Sequence, residues 1–455
     1  MKKLSLLVMP LMAITFLASC NQKTYYTVSF NTTGGSSIAS QKVEKGKTAT
    51  KPTDPTKENY YFKRWLLDDA RFDFNMPVNQ DITLTATWDI YDDNCPYLTF
   101  NAEEESTVKY VSNGYVDTDF YYSYDMKTWK PWSMGSAITI EKSKKIYVKN
   151  EKENLSVNYD RYVYFIIDGK VAASGDISSL VNTKTEKDKL GDSEYIYLFK
   201  DCKALVRAPK LPATRIGKRS YDSMFYGCTN LIEAPDIFAT ELDEWSCLYM
   251  FYGCTNLVDS PNLPAKSLAV GCYYSMFEGC NNLKKTPIIF ATQLKDHCCE
   301  MMFKNCFKLE KAPELLAPIT APSCYHDMFY HCDALTEGPA LPATELSEWC
   351  YAGMFLKCRN LVTAPYLPAS SSELKDWCYR DMFNECPKLQ KVEVGFGTKD
   401  SSEWPTTINS YTHEWFNNDT GKDATNPTFY WRGASSISER GISTVPKNWS
   451  IQTTN

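Results

Sequence analysis

The chain has 455 residues, of which 43% are hydrophobic and 23% charged, and its formal net charge is −6. This length exceeds that of one ordinary domain, and the apolar content is sufficient for buried cores. The acidic balance, without any cluster of lysine and arginine, excludes a nucleic-acid-binding protein of the usual basic kind.

Residues 1–20 have the pattern of a secretion signal. Lys2 and Lys3 precede an apolar run at 4–16 that is too short to span a membrane, and small residues lead to Cys20. The ending Leu-Ala-Ser-Cys resembles the lipobox of bacterial lipoproteins, which implies that Cys20 becomes a lipidated N-terminus. Ordinary cleavage with Cys20 unmodified is the alternative. We expect a lipid-anchored protein of the cell envelope, exposed at the outer membrane surface.

Residues 25–89 are predicted to form a small β-rich module. Alternating residues at 27–30 and 82–88 predict strands, and its expected core is Phe30, Phe62, Trp65, Leu84 and Trp88. The order of these segments resembles the Listeria-Bacteroides repeat, a β-grasp-like spacer of surface proteins. Asn59 and Arg64 stand where that family usually has glycines.

Residues 97–190 are predicted to form a second β-rich module. Strand-like alternation recurs at 97–100, 120–124, 137–140, 145–148 and 162–167. A β-sandwich with roughly seven strands is the architecture that this pattern favours.

Residues 195–395 repeat one pattern. A phenylalanine recurs every 26 residues and once after 28, with a cysteine three residues later and a leucine three after that. The phenylalanines after the first copy, at Phe199, are Phe225, Phe251, Phe277, Phe303, Phe329, Phe355 and Phe383. Self-similarity at this period is the signature of a solenoid, in which each unit buries its apolar face against its neighbours.

Each repeat is predicted to contain a short helix and a short strand. In the stretch 345–358, apolar residues recur at three- and four-residue steps, which predicts an amphipathic helix, and the two prolines of 361–368 favour an extended segment. The predicted fold is therefore multidomain α+β: two β-rich modules, a leucine-rich-repeat solenoid of about eight 26-residue coils, and a C-terminal cap at 396–455.

The repeat string Cys-Tyr-x-x-Met-Phe-x-x-Cys-x-x-Leu-x-x-Ala-Pro-x-Leu-Pro-Ala-Thr resembles that of BspA-like leucine-rich repeat surface proteins of anaerobic gut and oral bacteria. This resemblance implies a non-enzymatic cell-surface protein of the adhesion or ligand-binding kind. It does not name a ligand.

The residues give no sign of catalytic chemistry. Seventeen cysteines are present, but those at equal repeat phase should lie parallel and about 4.8 Å apart, whereas a disulfide needs converging Cβ atoms near 3.8 Å. Free buried thiols are therefore favoured. His297 with Cys298, Cys299 and Cys306 lacks metal-ligand spacing, so we expect no metal. None of the four histidines has a recognisable serine or cysteine nucleophile context, and we therefore expect no cofactor and no enzymatic activity.

The exposed positions of the repeats are the candidate binding residues. We call the positions that should point outward from the predicted strands the strand face: Arg207, Lys210, Glu233, Asp236, Asp259, Asn262, Lys285, Lys311, Glu314, Glu337, Thr363 and Tyr366. A second set of equal phase, the aromatic ridge, comprises Trp245, Trp349 and Trp377. The ridge either contacts a ligand or packs between neighbouring helices.

The expected function is adhesion to host or matrix proteins or glycoproteins through the solenoid. The alternative is a carbohydrate-capturing accessory lipoprotein for nutrient uptake. The expected partners are thus an extracellular protein or glycoprotein, or a glycan, with the membrane contacted through the N-terminal lipid only.

Overall fold

In the computed structural model, the chain forms two compact units, of which the first ends at Ile90 and the second begins at Tyr91. The described residues are 23–153, 155–181, 188–397, 408–432 and 440–453. The predicted signal segment and its lipidation site, Cys20, lie outside the described residues.

The first unit is one five-stranded sheet with its own core. Its strands are β1 (Tyr25–Asn31), β2 (Gln41–Glu44), β3 (Tyr61–Leu67), β4 (Ala70–Arg71) and β5 (Ile82–Asp89), in the order β2-β1-β5-β3-β4. The central pair β1 and β5 is parallel and the other pairs are antiparallel. Trp65 and Leu84 are buried, and Phe30, Phe62 and Trp88 pack against them while partly exposed. Asn59 adopts a φ of 62°, the left-handed conformation that a glycine adopts without cost.

The second unit begins with two packed sheets. One has the order β10-β7-β13-β12, and the other the order β15-β14-β6-β11-β8-β9. The strands are β6 (Leu98–Ala102), β7 (Ser106–Asn113), β8 (Phe120–Ser123), β9 (Lys130–Pro131), β10 (Ile138–Ile140), β11 (Lys145–Asn150), β12 (Ser156–Asn158), β13 (Arg161–Asp168), β14 (Val171–Ser174) and β15 (Leu205–Arg207). β15 belongs to the first repeat and pairs in parallel with β14, so the sheet continues into the repeats.

Residues 195–395, which we call the repeat stack, place successive repeats side by side. The short strands β16 (Arg215–Ile216) and β17 (Glu241–Leu242) pair in parallel, and single parallel bridges, such as Glu233 with Asp259, also join positions 26 residues apart. A longer strand, β18 (Thr363–Leu367), lies near the C-terminal end of the stack. The phenylalanine rings form a ladder with centroids 5.4–5.9 Å apart and planes within 13° of parallel.

The predicted α+β class, and with it the helix in each coil of a leucine-rich-repeat solenoid, is wrong. Among the described residues, helix is limited to the 3₁₀ helix Ile177–Leu180 and the α-helix α1 (Ile408–Tyr411). The stretches predicted as helices are runs of turns, in which three residues per repeat, spaced four apart, have φ between 48° and 74°. An α-helix of L-residues cannot include such conformations.

Backbone hydrogen bonds in these turns alternate between two directions. The amides of Phe225 and Gly227 donate to carbonyls of the next repeat, at Met250 (2.9 Å) and Tyr252 (2.8 Å). The amide of Tyr226 instead donates within its own repeat, to Ser223 (3.1 Å). Each run of turns therefore forms backbone hydrogen bonds with the neighbouring repeats, as a strand in a parallel sheet does. For this reason the repeats belong to an all-β fold although they contain few regular strands.

The C-terminal residues pack on the last repeat. β19 (Lys391–Val394), β20 (Thr428–Trp431) and β21 (Ser450–Thr453) extend the parallel sheet from β18. Trp415 is fully buried, its carbonyl accepts a hydrogen bond from the Phe383 amide (2.8 Å), and its ring lies 6.3 Å from that of Phe383. One continuous core thus runs from the β-rich region at Leu98 through the repeats to Ile451.

Candidate binding faces of the repeat stack

The cysteines of the repeat stack are part of its interior. The sixteen cysteines of the described chain are free and buried. In each repeat a cysteine stands three residues after the repeat phenylalanine. Its thiol donates to the backbone carbonyl of the phenylalanine one unit earlier in the stack, as Cys254 does to Phe225 (3.1 Å) and Cys280 to Phe251 (3.2 Å). Burial raises the pKa of Cys247 to about 12 and that of Cys350 to about 11, which makes these thiols poor nucleophiles.

No metal-binding group is formed within the described residues. Nowhere in that part of the chain do three or more His, Cys, Asp or Glu side chains lie together in an arrangement that could hold a metal ion. Cys298, Cys299 and Cys306 are fully buried, whereas the neighbouring His297 is partly exposed.

All twelve strand-face residues lie at the surface. Six of them, at the N-terminal end of the stack, are half-buried: Arg207, Lys210, Glu233, Asp236, Asp259 and Asn262. The six that follow are exposed: Lys285, Lys311, Glu314, Glu337, Thr363 and Tyr366. The outward orientation therefore agrees with the sequence pattern, and ligand contact at these residues stays a prediction.

Arg207 is held by partners within the chain. Its guanidinium forms an ion pair with Asp93 (Nη2 to Oδ2, 2.6 Å), donates to the Ala173 carbonyl (2.8 Å) and lies 5.5 Å from the ring of Tyr91. Only 15% of its side chain is exposed. Arg207 thus links the first repeat of the stack to the preceding β-rich region through these contacts.

A ladder of asparagines borders the strand face. The side chain of Asn256 donates to Asn230 (3.3 Å), that of Asn282 donates to Asn256 (3.1 Å), and Lys308 donates to Asn282 (2.7 Å). Beside the ladder lies a depression of about 590 Å³ that includes the exposed Ile232 and is also lined by Glu104 and Lys170. The sequence analysis missed this ladder, although an asparagine two residues after the repeat cysteine was its signal.

The aromatic ridge is divided into two parts. Trp349 and Trp377 are in contact, with ring centroids 4.8 Å apart, and Arg380 lies 5.2 Å from the Trp349 ring. Trp245, four repeats earlier, packs over Gly271 of the next repeat, where a Cβ would come within 2.1 Å of its ring. The ridge residues lie in left-handed turns and pack against neighbouring repeats, and Trp377 keeps 38% of its surface exposed.

Between the two parts lies an ionic cluster centred on Glu300. Its carboxylate hydrogen-bonds to Nδ1 of His297 (2.5 Å) and of His326 (3.1 Å), and Glu300 itself is only 6% exposed. Burial acts to raise the pKa of Glu300, but the hydrogen bonds with His326 and His297 lower it overall. Burial opposes protonation of His326, yet Glu300 and Asp327 raise its pKa. The cluster therefore favours a buried carboxylate beside a protonated imidazole.

A row of tyrosines continues this surface toward the N-terminal end of the stack. The rings of Tyr226 and Tyr252 are stacked 4.8 Å apart, and Tyr249 lies 5.7 Å from Tyr252 and 5.6 Å from Tyr274. Lys200 covers the Tyr226 ring at 5.3 Å. Tyr226 and Tyr252 share one repeat phase, but Tyr249 and Tyr274 stand at two others, so the sequence analysis missed this row.

Comparisons with known proteins match parts of the chain. Two curated proteins of Evansella cellulosilytica are similar: one provisionally named a Gly-rich membrane protein, 36% identical over 99 residues, and one provisionally named a membrane protein, 26% identical over 201 residues. The matches cover 21% and 37% of this chain but only 10% and 30% of those relatives. No solved structure matches the chain significantly.

In the described part of the chain, no helix combines the length and the apolar character needed to cross a bilayer. Residues 26–87 match the Listeria-Bacteroides repeat domain. The prediction for this module is confirmed: the N-terminal sheet is a Listeria-Bacteroides repeat domain.

Proposed function

We propose that the protein is a binding protein of the bacterial cell surface, anchored by lipid at Cys20, which adheres to extracellular proteins or glycoproteins through the repeat stack. Three observations support the envelope location: the lipobox-like sequence, the Listeria-Bacteroides repeat domain, and relatives that are named as membrane proteins. The resemblance of the repeat string to BspA-like surface proteins supports the adhesive role.

The observation that carries the proposal is the contrast between the inside and the outside of the stack. Phenylalanine, cysteine and leucine recur in the interior at every repeat, whereas the strand face carries Lys311, Glu314, Glu337 and Tyr366 in no repeating order. The recurring interior residues maintain the fold. The strand-face residues differ from repeat to repeat, so they are the ones that can recognise a specific partner. A long partner surface would contact several repeats at once.

The test measures binding of the purified protein to immobilised matrix proteins, serum glycoproteins and free glycans. A strand-face variant combines Lys311→Glu, Glu314→Lys, Glu337→Lys and Tyr366→Ala, all at exposed positions. A matched control carries Tyr115→Ala, an aromatic residue outside the stack that is 78% exposed. We expect a protein partner to bind the wild type and the control, and to bind the variant at least about tenfold more weakly.

Arg207 is left intact in this design because its ion pair with Asp93 makes it part of the fold. Equal binding of a protein partner by the wild type and the strand-face variant would rule out the strand face. Failure to bind any protein or glycoprotein would rule out adhesion.

Carbohydrate capture is the second candidate function, and the contact between Trp349 and Trp377 favours it. Aromatic rings that are partly exposed bind the apolar faces of sugars. The double variant Trp349→Ala with Trp377→Ala should then lose glycan binding and keep protein binding, whereas the strand-face variant should do the reverse.

A further inference from the structure

A cavity of about 430 Å³ lies where the β-rich region meets the first repeat. β13 forms one side. Its residues Val163, Phe165 and Ile167 point into the core and are at most 5% exposed, so Tyr162 and Tyr164 point outward, as alternation along a strand requires. We call this cavity the junction pocket.

The first repeat forms the other side of the junction pocket. The amide of Phe165 donates to the carbonyl of Leu198 (2.8 Å), and the thiol of Cys202 donates to the carbonyl of Phe165 (3.1 Å). These bonds fix β13 beside the turn that carries Tyr197 and Lys200. The pocket walls are therefore held by backbone contacts and by the continuous core beneath them.

The tyrosine rings of the pocket are inclined to one another. Tyr162 lies 4.7 Å from Tyr197 at an interplanar angle of 54°, and 5.9 Å from Tyr164 at 47°. The inclined rings do not cover each other's faces as the parallel rings of Tyr226 and Tyr252 do, and the ammonium group of Lys200 lies 4.8 Å from the Tyr197 ring. The inclination of Tyr162 to both of its neighbours therefore leaves aromatic surface in the junction pocket, beside the ammonium group of Lys200.

The charges around the pocket are balanced. Lys200 and Lys203 supply two positive charges, and Asp168 and Asp201 supply two negative ones. Such a lining disfavours a ligand with net charge but offers donors and acceptors to a ligand rich in hydroxyl groups. The volume is within the range of roughly 300–1,000 Å³ that is typical of small-ligand sites.

We propose that the junction pocket binds a neutral saccharide, whose pyranose ring packs on Tyr162 and Tyr197 while its hydroxyls bond to the surrounding carboxylates and ammonium groups. This site is separate from both the strand face and the aromatic ridge. It does not depend on adhesion through the stack, so either proposal can fail alone.

The experiment titrates the full protein with maltotriose, cellotriose, lactose and N-acetylchitotriose, and with trigalacturonic acid as a charged probe, by calorimetry. We expect at least one neutral saccharide to bind. Tyr162→Ala and Tyr197→Ala should each weaken that binding about tenfold or more, whereas Tyr197→Phe, which keeps the ring, should retain it. Tyr252→Ala, on the stack outside the pocket, is the matched control and should bind as the wild type does.

Hydrogen exchange of the wild type with and without the saccharide provides a measurement that needs no variant. Binding in the pocket should slow exchange at 162–168 and 197–203 and leave the later repeats unchanged. The proposal is overturned if all four neutral saccharides fail to bind at millimolar concentration, if only the charged probe binds, or if protection appears elsewhere. Loss of binding in Trp349→Ala with Trp377→Ala, and not in the pocket variants, would also overturn it and place the saccharide on the ridge.

Discussion

At the scale of single residues, Glu194 is a buried carboxyl of the described chain whose pKa is raised far above its ordinary value. It lies at the start of the repeat stack and is 5% exposed. Burial raises its pKa to about 7, an effect that the hydrogen bond from the Gly191 amide only partly offsets. The neutral form is therefore favoured in the folded protein well above the ordinary glutamate pKa of 4.5.

The substitution Glu194→Gln tests this ionisation. Because the folded pKa is raised, Glu194 destabilises the fold little below about pH 4.5. The cost grows between about pH 4.5 and 7 and is fully present above pH 7. We expect Glu194→Gln to raise the free energy of unfolding at pH 8 by roughly 1–3 kcal/mol, and to change it little at pH 5. Chemical denaturation at the two pH values measures this, with Glu314→Gln, at an exposed position, as the control. An equal effect of Glu194→Gln at both pH values would contradict it.

At the scale of elements, the turns of the repeat show what local spacing can and cannot predict. Cys350, Met354 and Cys358 recur every four residues, and both a helix of period 3.6 and a run of four-residue turns bury such positions together. The distinguishing signal was glycine at one phase, at Gly227 and Gly253, because glycine marks a left-handed position.

The N-terminal domain and the interior of the repeat stack could be predicted, because the residue pattern within one continuous segment is enough to indicate each of them. The N-terminal domain follows from its own hydrophobic order, and burial of the repeat phenylalanines follows from their constant phase. The cluster at Glu300 and the junction pocket could not be predicted, since each joins residues from different repeats or modules. Tyr162 and Tyr197, for example, meet only because β13 bonds to the first repeat.

A glycine substitution distinguishes the turns from helices. Gly253 has a φ of 69°, and a Cβ there would meet no atom within 4 Å, so the cost of Gly253→Ala comes from the backbone alone. We expect a loss of about 1–2 kcal/mol in the free energy of unfolding, whereas in a helix the same change would stabilise by about 1 kcal/mol.

The reverse substitution serves as the matched control. Glu385 occupies the same phase with a φ of 58°, and its ion pair with Lys357 is long, at 3.7 Å, and partly exposed. Glu385→Gly should therefore stabilise by up to about 1 kcal/mol, because relief of strain exceeds the loss of a weak pair. Urea denaturation measures both variants, and stabilisation by Gly253→Ala would restore the helical interpretation.

At the scale of the whole molecule, the described residues contain two separate cores. Trp65 belongs to the core of the first unit, and Phe165 belongs to the core that continues into the repeats. The Phe165 ring lies 5.1 Å from Phe100 and 5.5 Å from Phe199, so it joins the β-rich region to the phenylalanine ladder.

Substitutions that create a cavity in one core or in the other should therefore have different effects on the stability of the repeats. Phe165→Ala should cost about 3–5 kcal/mol and reduce protection from hydrogen exchange in the first repeats, with a smaller effect toward Phe383, because each repeat contacts only its neighbours. Trp65→Ala should leave the exchange of the repeats unchanged. Hydrogen exchange in mild denaturant measures the effect of each variant on the repeats. Unchanged exchange of the repeat stack in Phe165→Ala would show that the stack folds without the β-rich region.

The alternating hydrogen bonds of the turns also determine how the stack responds to tension. The bonds between repeats, such as Phe225 to Met250, link chain positions 25 residues apart and point along the stack. A load applied to the ends of the chain therefore reaches these bonds one repeat at a time. Each 26-residue repeat that opens releases about 90 Å of chain while the remaining repeats keep their neighbours. Under a pulling force, the stack would therefore lengthen in discrete steps and absorb mechanical work.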